Sequence, residues 1–281
     1  MRLPCITAKF NFELNYKLRY LMSILLTEDI DNIRLIKLNR PDVRNALNLE
    51  LRNALLATFR ETAKNENIKV VILSGTGSAF CAGLDLKDLK TIHQKSSSEN
   101  MQDSESLAEL FKLIYSFHKP VIAAINGHAI AGGAGLASVC DISIMSEEAR
   151  IGYTEARIGF VAALVSVFLV RQVGEKHARD LLLTARLISA NEAKEIMLVN
   201  EVVKKEDVLA RALTIAKQIS NNSPNSLSLS KSLLATVAGL SLDDGLEYAI
   251  RLNALSRNSA DLNEGVTAFL EKRAPKWQNK I

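Results

Sequence analysis

The feature that most restricts what this 281-residue chain can fold into occurs twice: a short apolar run of strand character passes directly into a segment of small residues. Residues 70–73 lead into Ser74-Gly75-Thr76-Gly77-Ser78-Ala79-Phe80-Cys81-Ala82-Gly83-Leu84-Asp85-Leu86. Val121–Ile125 leads into Asn126-Gly127-His128-Ala129-Ile130-Ala131-Gly132-Gly133-Ala134-Gly135-Leu136-Ala137. Small residues let a backbone approach other groups closely. A glycine pair opening an apolar helix leaves free N–H groups at the positive end of the helix dipole. Taken singly, the first segment also fits a tight turn before a capped helix, and the second fits close helix packing. Neither is a Walker loop, since no Gly-Lys-Ser/Thr follows, and neither carries GxGxxG, which disfavours nucleotide binding of those types.

The pattern around these segments is β-α-β-α. Ile33–Leu38 and residues 70–73, 121–125 and 142–145 read as strands, and residues 49–63 and 104–117 as helices. From about Ser166 the pattern is almost wholly helical, in segments 164–173, 176–184, 190–196, 208–220, one starting near Pro224, then 242–256 and 262–272. Ser189 with Glu192 gives a capping-box-like start, and Ser223-Pro224 puts proline where a first helical turn tolerates it. The polar, Ser-rich run 93–106 reads as a mobile loop, long enough for a lid or pocket rim.

Composition excludes more than it selects. With 48% apolar residues a core is assured, and no stretch approaches the roughly 20 uncharged apolar residues that span a bilayer, so no membrane partner is expected. A formal charge of +4 suits an anionic small molecule as well as nucleic acid. Cys5, Cys81 and Cys140 form neither a paired framework nor a CxxC, which points to a reducing compartment and to structural thiols. His93, His118 and His177 have no metal spacing, so no metal is expected, and His128 reads as a packed loop histidine. Residues 1–21 read as an N-terminal extension, an over-called start or a disordered or transit-like segment, ahead of a domain beginning at Met22; the expected compartment is the cytoplasm, or the mitochondrial matrix if the extension is a transit peptide.

Together the two segments resemble the crotonase (enoyl-CoA hydratase/isomerase) superfamily. Further motifs agree with the likeness: Asn39-Arg40-Pro41-Asp42-Val43-Arg44-Asn45-Ala46-Leu47-Asn48, Lys119-Pro120-Val121-Ile122-Ala123-Ala124-Ile125-Asn126-Gly127, and Cys140-Asp141, over a match running from about Ile24 to the C-terminus. The run Gly152-Tyr153-Thr154-Glu155-Ala156-Arg157-Ile158-Gly159-Phe160 looks most like bacterial methylglutaconyl-CoA hydratase-like members. The resemblance implies an α/β fold, a crotonase-type spiral of β-β-α units over residues 22–205, with an α-helical C-terminal trimerisation region over 206–281. The implied assembly is a homotrimer or a dimer of trimers.

It also implies a chemistry. The substrate would be an acyl-CoA thioester, with no cofactor beyond that coenzyme A. By position, the backbone N–H groups of Leu84 and Gly132 would receive the thioester oxygen as an enolate forms, and Glu155 would exchange protons with the substrate carbon. Fixed amide dipoles stabilise developing oxyanion charge better than water does, and a glutamate in an apolar pocket has a raised pKa suited to such exchange. For coenzyme A, matching positions are Arg44, the Ala82 and Leu86 backbones, Phe269 and Lys272; Arg44 and Lys272 also fit solvated surface charges.

Two departures matter. Gly135 stands where two-glutamate hydratases carry their second glutamate, and Gly159-Phe160-Val161-Ala162-Ala163 is bulkier than the glycine-rich turn of many relatives, so the acyl pocket is expected to differ. Hydration of a 2-enoyl-CoA, including a branched one, is therefore the leading expectation. A Δ3,Δ2-enoyl-CoA isomerase working with one glutamate is the alternative, and a non-catalytic binder of CoA or RNA a remote one. Glu155 and both small-residue segments oppose a dead enzyme, and the absence of aromatic-interleaved basic patches makes nucleic acid an unfavoured partner.

Overall fold

The computed structural model describes residues 23–277. In chain order the elements are β1 (Leu25–Ile30), β2 (Ile33–Leu38), α1 (Leu49–Lys64), β3 (Val70–Gly75), β4 (Ala79–Cys81), α2 (Leu86–Thr91) and α3 (Ser97–Tyr115). Next come β5 (Val121–Ile125), β6 (His128–Ile130), α4 (Gly132–Ser138), β7 (Ile142–Ser146), β8 (Arg150–Gly152) and α5 (Ala163–Thr184). The chain closes with β9 (Ile188–Ser189), α6 (Ala190–Glu195), β10 (Glu201–Val203), α7 (Val208–Ser220), α8 (Pro224–Val237), α9 (Leu242–Arg257) and α10 (Ala260–Leu270).

From β3 to β8 the strands alternate between two sheets. One has six strands in the order β1-β2-β3-β5-β7-β10, parallel except for the β1–β2 hairpin, and the other has four in the order β4-β6-β8-β9. Each turn of the spiral lays one strand in the large sheet, one in the small sheet, and then helix. Period-two alternation decides which side each residue serves. Ile36, Leu38, Val71, Leu73, Ala123 and Ile125 join the core between the sheets. Their neighbours Ile33, Leu35, Val70, Ile72, Ile122 and Ala124 pack outward against Val208, Ala212, Ile215 and Ala216 of α7. A strand buried on both faces has to be apolar throughout, which is how β3 and β5 read.

The last helices are pinned to this spiral by buried polar groups. Lys231 of α8 reaches inward, its Nζ donating to the Ile114 and Lys119 carbonyls and pairing with Asp141 at 2.7 Å. Asp261 at the start of α10 accepts from Ser223 Oγ at 2.5 Å. Each contact satisfies a group whose burial alone would be costly.

Several sequence expectations need correction. The run 93–106 is largely helix, since α3 begins at Ser97. Its serines supply a capping box, with Ser96 Oγ accepting from the Glu99 amide and Glu99 returning to the Ser96 amide, and Asp103 pairs at 2.6 Å with buried Arg52 of α1. Low-complexity composition concealed a helix whose polar face is solvated. The two small-residue segments are not simple loops: β4 and β6 lie inside them, too short to show periodicity and formed by pairing with each other. Two short strands, β9 and β10, also interrupt the helical C-terminal third. His128 is exposed at the start of β6, where Nδ1 accepts from the Arg150 amide at 3.0 Å, rather than packed in a loop. Cys81 and Cys140 are buried free thiols, and burial pushes the Cys81 thiol up to about 12, far from nucleophilic use. Residues 1–21, with Cys5, lie outside the described residues.

Candidate active site

Leu84, Gly132 and Glu155 each follow the carboxyl end of a short strand, two or three residues beyond Cys81, Ile130 and Gly152 respectively. Those strands, β4, β6 and β8, are parallel neighbours, with Cys81 opposite Ala129 and Ile130 opposite Gly152. Parallel pairing makes the chain leave all three at the same end. Residues distant in sequence are thereby gathered at one sheet edge.

Leu84 and Gly132 are brought together by close backbone approach. Gly83 has φ +89°, and a Cβ placed on it would sit 2.9 Å from the Ile130 carbonyl oxygen and 3.1 Å from the Gly132 nitrogen. A Cβ on Gly132 would sit 3.8 Å from the Leu84 nitrogen, so the two amides stand side by side. Only glycine at 83 permits this. Neither N–H donates to any group of the chain among the described residues. The turn between them is strained: Ala131 holds φ 55° and ψ −125°, fixed by its N–H donating to the Gly152 carbonyl at 2.7 Å. Such strain persists only where surrounding bonds over-determine it. Two unspent, adjacent donors, one of them on the first residue of a helix, are an arrangement able to receive an oxygen that gains negative charge.

The Leu84 side of this receptor is held from below. Leu47 donates to the Gly83 carbonyl at 2.7 Å and accepts from the Asp85 amide at 3.2 Å, bracketing Leu84. Asp85, N-cap of α2, takes the Lys87 amide at 3.0 Å and pairs with Arg40 at 2.9 Å. Burial opposes ionisation of Asp85, but the Lys87 amide and the Arg40 guanidinium outweigh it and hold its carboxyl below the usual range. Arg40 also bonds the Ala46 carbonyl, and Asn45, fully buried with φ 57°, donates to the Thr76 and Ala79 carbonyls and accepts from the Arg40 amide. The motif containing Arg40 and Asn45 was visible in the sequence. Their role in shaping the Leu84 turn was not, because both act across 30 or more residues.

Glu155 opens a 3-10 turn, Glu155–Ile158, directly after β8 and is 8% exposed. Its Oε2 is buried and has no hydrogen-bond partner. Burial pushes its carboxyl above the usual glutamate range, and its own backbone amide offsets this only in part. The other two carboxylates among the buried residues are committed, Asp85 to Arg40 and Asp261 to Ser223. Next to Glu155, the hydroxyls of Tyr153 and Ser138 bond each other at 2.7 Å inside the core. Glu155 is thus the buried carboxylate with an uncommitted oxygen, the condition for exchanging a proton with a bound molecule.

The proposed coenzyme A positions divide. Arg44 is exposed, with φ 53°, and its carbonyl accepts from the Ala82 amide at 3.0 Å; Leu86, 71% exposed, follows four residues on. These three share one rim beside the Leu84 turn. Phe269, 82% exposed, and Lys272 lie at the far end of α10, with no side-chain hydrogen bond or ion pair to that rim. Ile158 and Val161, exposed beyond Glu155, make the bulkier turn an apolar surface. Among the described residues no three His, Cys, Asp or Glu side chains are grouped as a metal would need.

Comparison with known proteins agrees with this geometry. The family model for enoyl-CoA hydratase/isomerase matches residues 28–280. A Thermus thermophilus protein provisionally named enoyl-CoA hydratase is 46% identical over 246 residues, 88% of this chain and 97% of its own. The 2,3-dehydroadipyl-CoA hydratase of Escherichia coli is 32% identical, covering 92% of this chain and 100% of its own. The peroxisomal Delta(3,5)-Delta(2,4)-dienoyl-CoA isomerase of Arabidopsis thaliana is 37% identical, covering 85% and 90%. The crystal structure of enoyl-CoA hydratase from Bacillus anthracis superposes with a TM-score of 0.86 at 31% identity, covering 92% of this chain and 100% of that one. The chain belongs to the enoyl-CoA hydratase/isomerase family and has the crotonase fold.

Proposed function

We propose that this protein adds water reversibly to the double bond of a 2-enoyl-CoA, branched acyl groups such as 3-methylglutaconyl included. The carrying observation is the pair of unspent amides of Leu84 and Gly132 at the same sheet edge as the partnerless oxygen of Glu155. In this reading the thioester oxygen sits between the two amides, its negative charge in the enolate meeting fixed dipoles that need no reorganisation. Glu155, kept protonatable by burial, transfers a proton at the α-carbon or activates the water. Arg44, Ala82 and Leu86 hold coenzyme A along the rim, with Phe269 and Lys272 contributing from α10. No cofactor is needed beyond the coenzyme A of the substrate.

A second reading, movement of a double bond between Δ3 and Δ2, is favoured by one feature: position 135 has no side chain, and among the described residues no second buried carboxylate is uncommitted. The test is incubation of purified protein with crotonyl-, 3-hexenoyl- and 3-methylglutaconyl-CoA, followed by mass analysis. Gain of one water marks hydration; an unchanged mass with a shifted retention time marks isomerisation. No product from any of the three sinks both readings.

For assembly we infer a homotrimer or a dimer of trimers. Supporting it, α8 and α9 expose Leu234, Leu242, Leu246, Ile250 and Leu255, apolar side chains of the kind that an interface between copies would cover. Sedimentation at micromolar concentration reads the mass directly, and a monomer refutes the inference. The cytoplasm remains the proposed compartment, in keeping with the buried free thiols of Cys81 and Cys140.

A further inference from the structure

The helices that follow the two proposed catalytic elements meet at one point. Gly135 lies one turn into α4, whose first residue is Gly132, and Val165 lies in the first turn of α5, just beyond the Glu155 turn. A Cβ on Gly135 would stand 2.1 Å from Val165 Cγ1, 3.1 Å from Val165 Cβ and 3.3 Å from Phe111 Cζ. The valine methyl therefore already fills the space that any side chain at 135 would need. Val165 cannot retreat easily: it is 3% exposed, and the neighbouring Leu169 and Phe111 are fully buried. Phe168 stands edge-on to Phe111 at 6.3 Å and packs against Tyr115 at 5.1 Å, backing the wall. The missing side chain at 135 is thus not a vacancy. It is the socket of a hydrocarbon plug, set about 5 Å along α4 from the Gly132 amide.

We propose that Val165 is a specificity-determining residue, whose methyl groups, seated in the Gly135 socket, close the acyl pocket and limit the size of acyl group accepted. The proposal rests on the acyl-CoA reading above and deepens it. It also means that placing a carboxylate at 135 by Gly135→Glu alone is incompatible with the wall, because Val165 occupies the first atom of the new side chain.

The test reads binding, which needs no turnover. Dissociation constants of butyryl-, 2-methylbutyryl- and hexanoyl-CoA are measured calorimetrically for wild type, Val165→Ala and the isosteric Val165→Thr. Removing two methyl carbons should improve the preference for at least one of the larger thioesters over butyryl-CoA by tenfold or more, since a single methylene in an apolar pocket is commonly worth about 10- to 200-fold in discrimination. Val165→Thr should keep the wild-type order, which separates pocket size from general damage. A second arm measures thermal midpoints: Gly135→Ala should lower the midpoint in the wild-type background and lower it far less in the Val165→Ala background, because the two positions share one volume. Unchanged thioester preferences in Val165→Ala, or a Gly135→Ala loss independent of residue 165, overturns the proposal. Failure of wild type to bind any of the three thioesters defeats the acyl-CoA reading instead and takes the proposal with it, an outcome distinct from equal binding of all three by both proteins.

Discussion

The carboxyl ends of β4 and β6 and the carboxyl end of β8 build their parts of the site in opposite ways. After β4 and β6 the proposed working groups are backbone amides, positioned by glycines, by a strained alanine at 131 and by the Arg40–Asp85–Asn45 network. After β8 the proposed working group is one side chain, its carboxyl raised by burial and one oxygen left without a partner. The first kind of site depends on where the chain runs and hardly on what side chain it carries. The second depends on one atom group and its surroundings. Substitutions should therefore fail by different routes in the two regions.

The largest effect should come from the side-chain half. Glu155→Gln keeps the shape of the group but cannot exchange a proton, so kcat should fall by about three powers of ten or more. Calorimetric binding of a non-reacting CoA thioester should stay within about threefold. Near wild-type turnover would remove Glu155 from the mechanism and erase the contrast.

On the backbone half, Gly132→Pro deletes the amide hydrogen, and loss of one such donor lowers rate by about two to three powers of ten. Circular dichroism must first show native helix content, since proline also restricts the chain. A folded variant with full activity on every enoyl-CoA offered would disprove the amide assignment.

The network behind Leu84 should reveal itself in stability. Arg40→Met leaves Asp85 buried without its cation, and breaking such a pair costs about 3 kcal/mol or more, readable from urea unfolding. A loss below about 0.5 kcal/mol would mean that the Leu84 turn holds itself.

A smaller effect separates function from stability at Glu155. Burial raises its pKa, so the folded protein holds that proton more tightly than the unfolded chain does. The resulting stability is complete below the ordinary value of 4.5 and is lost as pH rises through the raised value. Glu155→Gln should therefore melt higher than wild type at pH 7.5, by roughly 2 °C, and lose that advantage at pH 4. The same ionisation should shape the acidic limb of the kcat/KM profile. Equal melting of the two proteins at both pH values would show that the carboxylate is not desolvated.

The smallest effect is expected at Leu84→Ala, where the donor is the amide and the side chain is incidental: kcat should change by no more than about threefold. A hundredfold loss would mean that the β4 side also works through a side chain, and the comparison would collapse.

How much of this was readable from the chain alone follows the same division. Ile33–Leu38, Val121–Ile125 and Val208–Ser220 were legible to the residue, because two-sided burial and helical periodicity write themselves into local order. β4 and β6 were not, since three-residue strands have no period and exist through pairing with each other. The first turns of α3 were hidden for the opposite reason: they have no apolar face, and a capping box and the Arg52–Asp103 pair hold them, whereas the rest of the helix was read from residue 104 onward. For the site, motif likeness named Leu84, Gly132 and Glu155. It could not reveal that the two amides are adjacent and unspent, or that a carboxylate oxygen is buried without a partner.

What the sequence determined by itself was which segments are apolar on which face, where the backbone is free to turn, and which family of folds those choices match. These are local properties, encoded within one or two turns of chain. Only the tertiary structure decided that Val165 fills the place beside Gly135 and that Arg40 steadies Asp85. Packing and ion pairing join atoms separated by 30 or more residues, and no local pattern carries that information.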